Sequence, residues 1–86
     1  MIRIITQDGC RWCDKSKDLL YRHSIVYEEL KIPESLSKEE FFNLINEHNT
    51  TPSVPKIFKD KDLIGGYADL VEYIENHQGG VGEGGF

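Results

Sequence analysis

An α/β domain with a four-stranded mixed sheet flanked by three helices, in the order β-α-β-α-β-β-α, is the fold class this sequence predicts. Three observations carry it. An apolar opening segment gives way to an amphipathic one at a pair of cysteines, β-branched stretches then alternate with segments of helical period, and two closely spaced apolar runs precede the last helical stretch.

Ile2, Ile4 and Ile5, with Arg3 and Thr6, read as a short, largely buried strand that ends before the Asp8-Gly9 turn. From Trp12 to about His23, the positions Cys13, Ser16, Leu19, Leu20 and His23 recur at helical spacing, with Asp14, Lys15, Lys17, Asp18 and Arg22 on the polar side. Ile25 to Leu30 is β-branched and aromatic enough for a second strand, closed off by Pro33. Strand, helix, strand implies a right-handed parallel crossover.

Ser37 followed by Glu40 is a capping box, and Phe41, Leu44, Ile45 and His48 trace one face of a second helix that ends near Asn49. A polar loop over Thr50, Thr51, Pro52 and Ser53 leads into a strand from Val54 to Lys59, its start marked by Pro55. Asp60-Lys61-Asp62 turns the chain into a brief strand at Leu63-Ile64, so these two form a hairpin ended by Gly65-Gly66. Tyr67, Leu70, Val71, Ile74 and His77 give the stripe of a third helix, stopped by Gly79-Gly80. Residues 1–80 are read as one domain. Residues 81–86 are read as a flexible tail, too rich in glycine to offset the entropy of ordering, and Phe86 at its end is read as part of that tail.

With 86 residues the chain suffices for one small core. The formal charge of −5 and the scattered basic residues argue against a nucleic-acid partner. No apolar run approaches the length of a membrane span or a signal-peptide core, so a soluble, cytoplasmic protein is expected.

Cys10 and Cys13 are the only cysteines, and they sit at the predicted start of the first helix. A thiolate there is favoured by unpaired N–H groups and the positive end of the helix dipole, which makes it a nucleophile suited to thiol–disulfide exchange. So short a loop would staple little of the chain, so a structural role fits less well. A zinc site needs about four ligands. Only His23, His48 and His77 are available, none near Cys10 in sequence, so no metal is expected.

Three separated features resemble the glutaredoxins, over the chain up to about Gly80. Cys10-Arg11-Trp12-Cys13 stands where that family has Cys-Pro-Tyr-Cys, Ser53-Val54-Pro55 where it has Thr-Val-Pro, and Gly65-Gly66-Tyr67-Ala68-Asp69-Leu70 where it has Gly-Gly-x-x-Asp-Leu. A lone CxxC is weak; the ordered trio is specific. The resemblance implies a thioredoxin-like fold and a glutathione-linked dithiol oxidoreductase that reduces protein disulfides and glutathione mixed disulfides. Cys10 is then the attacking thiolate and Cys13 the resolving thiol. It also implies a cis Val54–Pro55 bond that leaves the Val54 backbone free to pair with an extended thiol peptide. Gly66, Tyr67 and Ala68 would receive the γ-glutamyl end of glutathione, with Asp69 on its ammonium.

Departures from the family pattern shape the remaining expectations. Arg11 replaces a rigid proline, and Trp12 keeps an aromatic wall without the hydroxyl. Gln7 occupies the place of a lysine near the glycyl carboxylate, so that contact weakens or passes to Arg11 or Lys56. The expected partners are glutathione and disulfide-bearing proteins, ribonucleotide reductase among them by analogy with compact bacterial and phage members, and the protein is expected to be a monomer. Two other readings stand beside this one: a thioredoxin-like carrier recharged by thioredoxin reductase, and a glutathione-dependent iron–sulfur carrier.

Overall fold

The structure is a computed structural model and describes residues 1–76. The expectations for His77, for Gly79-Gly80 as a helix stop, for the boundary at residue 80 and for the tail ending in Phe86 lie outside the described residues.

Seven elements follow the predicted order: β1 (Ile2–Gln7), α1 (Arg11–Arg22), β2 (Tyr27–Ile32), α2 (Lys38–Glu47), β3 (Lys56–Lys59), β4 (Asp62–Gly65) and α3 (Tyr67–Ile74). The strands form one sheet in the order β2-β1-β3-β4, with β1 and β2 parallel and the other two pairings antiparallel. Successive side chains of a strand face opposite ways, so central β1 feeds two cores. Ile2 and Ile4 pack with Leu20, Ile57, Leu70 and Ile74 beneath α1 and α3. Ile5 packs with Ile32, Phe41, Ile45 and Phe58 beneath α2.

The helix boundaries follow from their caps. Ser37 Oγ accepts the Glu40 N–H at 3.0 Å while the Glu40 carboxylate accepts the Ser37 N–H at 2.9 Å, which is the predicted capping box. That bond to the Ser37 backbone holds the Glu40 carboxyl below its ordinary range. Asn49, at φ 56°, takes the chain out of α2. Helix α1 begins one residue earlier than its apolar spacing suggests, because Cys10 serves as N-cap.

The strands depart from expectation at their ends. β2 begins at Tyr27 and not at Ile25, because the Ile25 N–H is still bonded to the Leu20 carbonyl at 2.9 Å and Ser24 turns at φ 57°. Only at Tyr27 does the chain meet Ile2 of β1, and Val26 is left exposed. The ladder then runs to Ile32 opposite Gln7, where a cis Ile32–Pro33 bond follows. β3 begins at Lys56 and not at Val54, since Pro55 has no N–H for the ladder. β4 reaches from Asp62 to Gly65, longer than Leu63-Ile64, because the register shifts opposite Ile57 and Phe58 and brings Gly65 beside Ile57.

One polar cluster ties α1 to the sheet. The Thr6 hydroxyl, fully buried, donates to the Glu29 carboxylate at 2.6 Å, and Lys17 Nζ reaches the same oxygen at 3.1 Å. The Thr6 bond holds the Glu29 carboxyl below the usual 4.5, against a smaller opposing effect of burial, with Lys17 assisting. A carboxyl lowered by folding adds stability that is present above its ordinary value and is lost as pH falls through its folded value. Thr6→Val, which keeps the shape and removes the donor, is therefore expected to lower stability by about 1–2 kcal/mol at pH 7. In urea titrations the gap between variant and wild type should close as pH falls well below 4.5; a gap independent of pH would contradict this assignment.

Candidate active site

The turn at Asp8 and Gly9, the latter at φ 74°, delivers Cys10 in extended conformation at the head of α1. A helix start leaves N–H groups without intrahelical partners. Here the Cys13 N–H donates to Cys10 Sγ at 3.1 Å, so a sulfur takes the capping position that an oxygen usually holds. Cys10 is partly exposed, whereas Cys13 lies on the inner face of α1 at 1% exposure. The two are joined in a disulfide, their Cα atoms 5.2 Å apart. The reachable sulfur and the sheltered one are thus within bonding range.

Facing them is the loop that enters β3. The Val54–Pro55 bond is cis, as the resemblance implied, and the Val54 carbonyl oxygen lies 3.8 Å from Cys10 Sγ. Pro55 and Lys56 behind it are buried. The Lys56 ammonium donates to the Ser53 hydroxyl at 3.0 Å and the Thr51 hydroxyl at 3.4 Å, and burial pushes it below its ordinary range, against the pull of the Asp69 charge. Two hydroxyls on one loop are therefore held by a buried cation.

The third segment is the β4–α3 junction. Gly65 has φ 130°, and a Cβ there would overlap the Asp69 carboxylate. That carboxylate accepts the Gly66 N–H at 3.0 Å. Asp69 thus acts as the helix-terminal charge of α3. Tyr67 opens α3 with its ring 5.2 Å from that of Trp12, and Lys15 Nζ stands 5.3 Å from the Trp12 ring centre.

These segments enclose a hollow of about 310 Å³ lined by Trp12, Ser53, Val54, Pro55, Gly66, Tyr67 and Ala68. Most of the residues singled out from sequence meet there. Gln7 does not: it lines a separate hollow on the far side of Val54. Arg11 is exposed on the first turn of α1, and Asp69, bonded to the Gly66 N–H, also borders a cleft beside Asp62 and Tyr73. Lys56, offered as a substitute for the missing lysine, is engaged with Ser53 and Thr51. The structure adds Ser53 to the lining. Its place just before Val54-Pro55 was the available signal. A larger hollow, of about 630 Å³ beside Tyr21 and Val26, lies at the other end of α1 and is not lined by either cysteine.

His23 and His48 are the C-cap residues of α1 and α2, and the His48 ring packs edge-on against Phe58 at 5.1 Å. Among the described residues no three His, Cys, Asp or Glu side chains gather as a metal site, and no helix is long and apolar enough to cross a membrane.

Comparison with known proteins finds relatives along most of the chain. The glutaredoxin family model matches residues 2–64. Glutaredoxin 3 of Escherichia coli K12 is 34% identical over 80 residues, which cover 93% of this chain and 90% of that protein. Among solved structures, glutaredoxin 1 from Francisella tularensis complexed with cacodylate superposes with a TM-score of 0.72 at 26% identity, covering 87% of this chain and 92% of that one. A buckwheat glutaredoxin–glutathione complex has the same fold, with a TM-score of 0.75 at 18% identity and coverage of 91% and 69%. The four-stranded mixed sheet with three helices is the thioredoxin-like fold of these structures.

Gly65 meets two constraints together, its left-handed-side φ and the carboxylate against its α-carbon. Gly65→Ala is expected to lower stability by about 2–3 kcal/mol. A denaturant midpoint unchanged from wild type would show that neither constraint acts in solution.

Proposed function

The chain belongs to the glutaredoxin family and is a thiol–disulfide oxidoreductase, and from that premise we propose that it reduces protein disulfides and glutathione mixed disulfides with electrons from glutathione. One observation carries the reading: a partly exposed Cys10 sulfur accepts a helix N–H and lies beside the Val54 carbonyl, with Cys13 buried directly behind it.

In the reduced protein, Cys10 attacks as thiolate on one sulfur of the substrate disulfide. A mixed disulfide forms, and the first substrate thiolate leaves and takes up a proton. Cys13 then loses its proton and attacks Cys10 Sγ, which expels the second substrate thiol and leaves the Cys10–Cys13 disulfide. A first glutathione thiolate opens that disulfide at Cys10, and a second removes it as glutathione disulfide, returning both cysteines to the reduced state. Proximity makes the Cys13 step fast, because the attacking group is held beside its target. The N–H that caps Cys10 in the disulfide is positioned to stabilise the thiolate whenever it is released.

Glutathione is placed across the hollow beside Trp12 and Tyr67. Its cysteine pairs with the Val54 backbone, held in place by Pro55, and its γ-glutamyl carboxylate meets the N–H groups of Tyr67 and Ala68 next to Gly66 at the start of α3. Asp69 takes the ammonium with the oxygen it does not use on Gly66. Trp12 and Tyr67 wall the site, while Gln7 and Arg11 lie toward the glycyl end. The glutathione complex of the buckwheat glutaredoxin supports glutathione as the ligand. We further propose that the protein acts as a cytoplasmic monomer with ribonucleotide reductase among its acceptors, a reading that rests on family analogy.

The roles of the two sulfurs separate cleanly in single variants. Cys10→Ser is expected to abolish both activities. Cys13→Ser should keep turnover of glutathione mixed disulfides within a few-fold of wild type and reduce protein-disulfide turnover by about 100-fold or more. Loss of both activities in Cys13→Ser, or recharging by thioredoxin reductase in place of glutathione, would overturn the reading.

A further inference from the structure

The substrate-binding surface continues past Val54, and its second half adds Lys38 and Phe42, which the reading above leaves unused. A hollow of about 360 Å³ on the α2 side is lined by Gln7, Lys38, Phe41, Phe42, Pro52 and Val54, among others. Ser53 and Val54 border both this hollow and the one beside Trp12, so a chain extended along Val54 passes from one into the other.

Two features set the character of this second half. Phe42 is 49% exposed, and its ring stands edge-on against buried Phe41 at 5.8 Å. Backed by that contact, Phe42 presents an apolar wall to the hollow. Lys38, the first residue of α2, is exposed and forms no ion pair among the described residues. Glu40 is bonded to the Ser37 cap, and Asp8 pairs with Lys31 at 3.1 Å. An apolar wall with one uncommitted ammonium fits an occupant with an apolar side chain and a carboxylate. The glycyl end of glutathione has the carboxylate but no side chain to lie against Phe42.

We infer that this hollow selects among protein substrates, seating an extended segment in which the target cysteine is followed by an apolar residue and then an acidic one. The direction rests on the glutathione placement proposed above: with the γ-glutamyl end at α3, the residues after the cysteine run toward Lys38. The Phe42 ring then covers the apolar side chain, and Lys38 pairs with the carboxylate at the rim.

The test uses disulfide-linked dimers of short peptides that differ only in the two residues after cysteine: Phe-Glu, Phe-Lys and Gly-Glu. Reduction is followed with glutathione recycling, beside a small dialkyl disulfide. Wild-type kcat/KM is expected to favour Phe-Glu over Gly-Glu by about tenfold and over Phe-Lys by about fivefold. Lys38→Glu should reverse the preference between Phe-Glu and Phe-Lys while keeping phenylalanine over glycine. Phe42→Ala should do the converse, losing the phenylalanine preference and keeping that for glutamate. Such opposite, separable effects do not arise from general loss of structure. Uniform rates across the peptides, or preferences that survive in the variants, overturn the inference while activity on the dialkyl disulfide leaves the glutathione reading standing. Absence of wild-type activity on every disulfide overturns both.

Discussion

The hydrogen bond from the Cys13 N–H to Cys10 Sγ links the fold to the chemistry. It closes the first turn of α1 with a sulfur where a hydroxyl or carboxylate oxygen is the usual cap. It also points a helix N–H at the atom that becomes an anion on reduction. The arrangement depends on α1 being held down along its length. Cys13, Ser16 and Leu20 form its buried face, and the Lys17–Glu29–Thr6 contacts fasten its side to β1 and β2. The direction of α1, and with it the aim of that N–H, is set by packing along the helix as well as beside the sulfur.

The opposing wall is organised by a different constraint. Pro55 ends the β3 ladder, so the backbone of Val54 is free of the sheet at the point where it passes Cys10. A loop released in this way needs another anchor, and Lys56 supplies it. Its side chain is buried at 4% exposure, and its ammonium meets the hydroxyls of Ser53 and Thr51. A cation so far out of water is costly unless its donors are satisfied. Here that satisfaction is coupled to the position of the segment proposed to receive substrate.

Asp69 illustrates how one side chain meets several demands. Its carboxylate caps the Gly66 N–H, packs where a side chain at Gly65 would otherwise sit, and acts on the Lys56 charge through space. The glycine pair is therefore required by more than a turn. Gly65 leaves room for the carboxylate, and Gly66 presents an N–H to it.

Element order and type were legible in the amino-acid sequence because they rest on local periodicity. The isoleucines of β1, the capping box at Ser37 and Glu40, and the stripe from Tyr67 to Ile74 each announce themselves within a few residues. The strand ends were not. Ile25 and Val26 have strand-like side chains, yet the closing turn of α1 and the register with Ile2 leave them outside β2. The bulge that lengthens β4 likewise depends on a partner strand and has no local signal.

The site divides along the same line. The cysteine spacing, Val54-Pro55 and the glycine pair could be recognised as motifs, since each needs particular residue types at fixed offsets. Which of them share one hollow was decided by the fold: Trp12 meets Tyr67 across more than fifty positions of chain, whereas Gln7, only three residues before Cys10, is turned to the other side of Val54. The sequence alone determined the reactive groups and the local structures that carry them, because those are properties of neighbouring residues. Only the tertiary structure decided which sulfur is reachable and which surfaces flank it, because burial and juxtaposition arise when distant segments pack together.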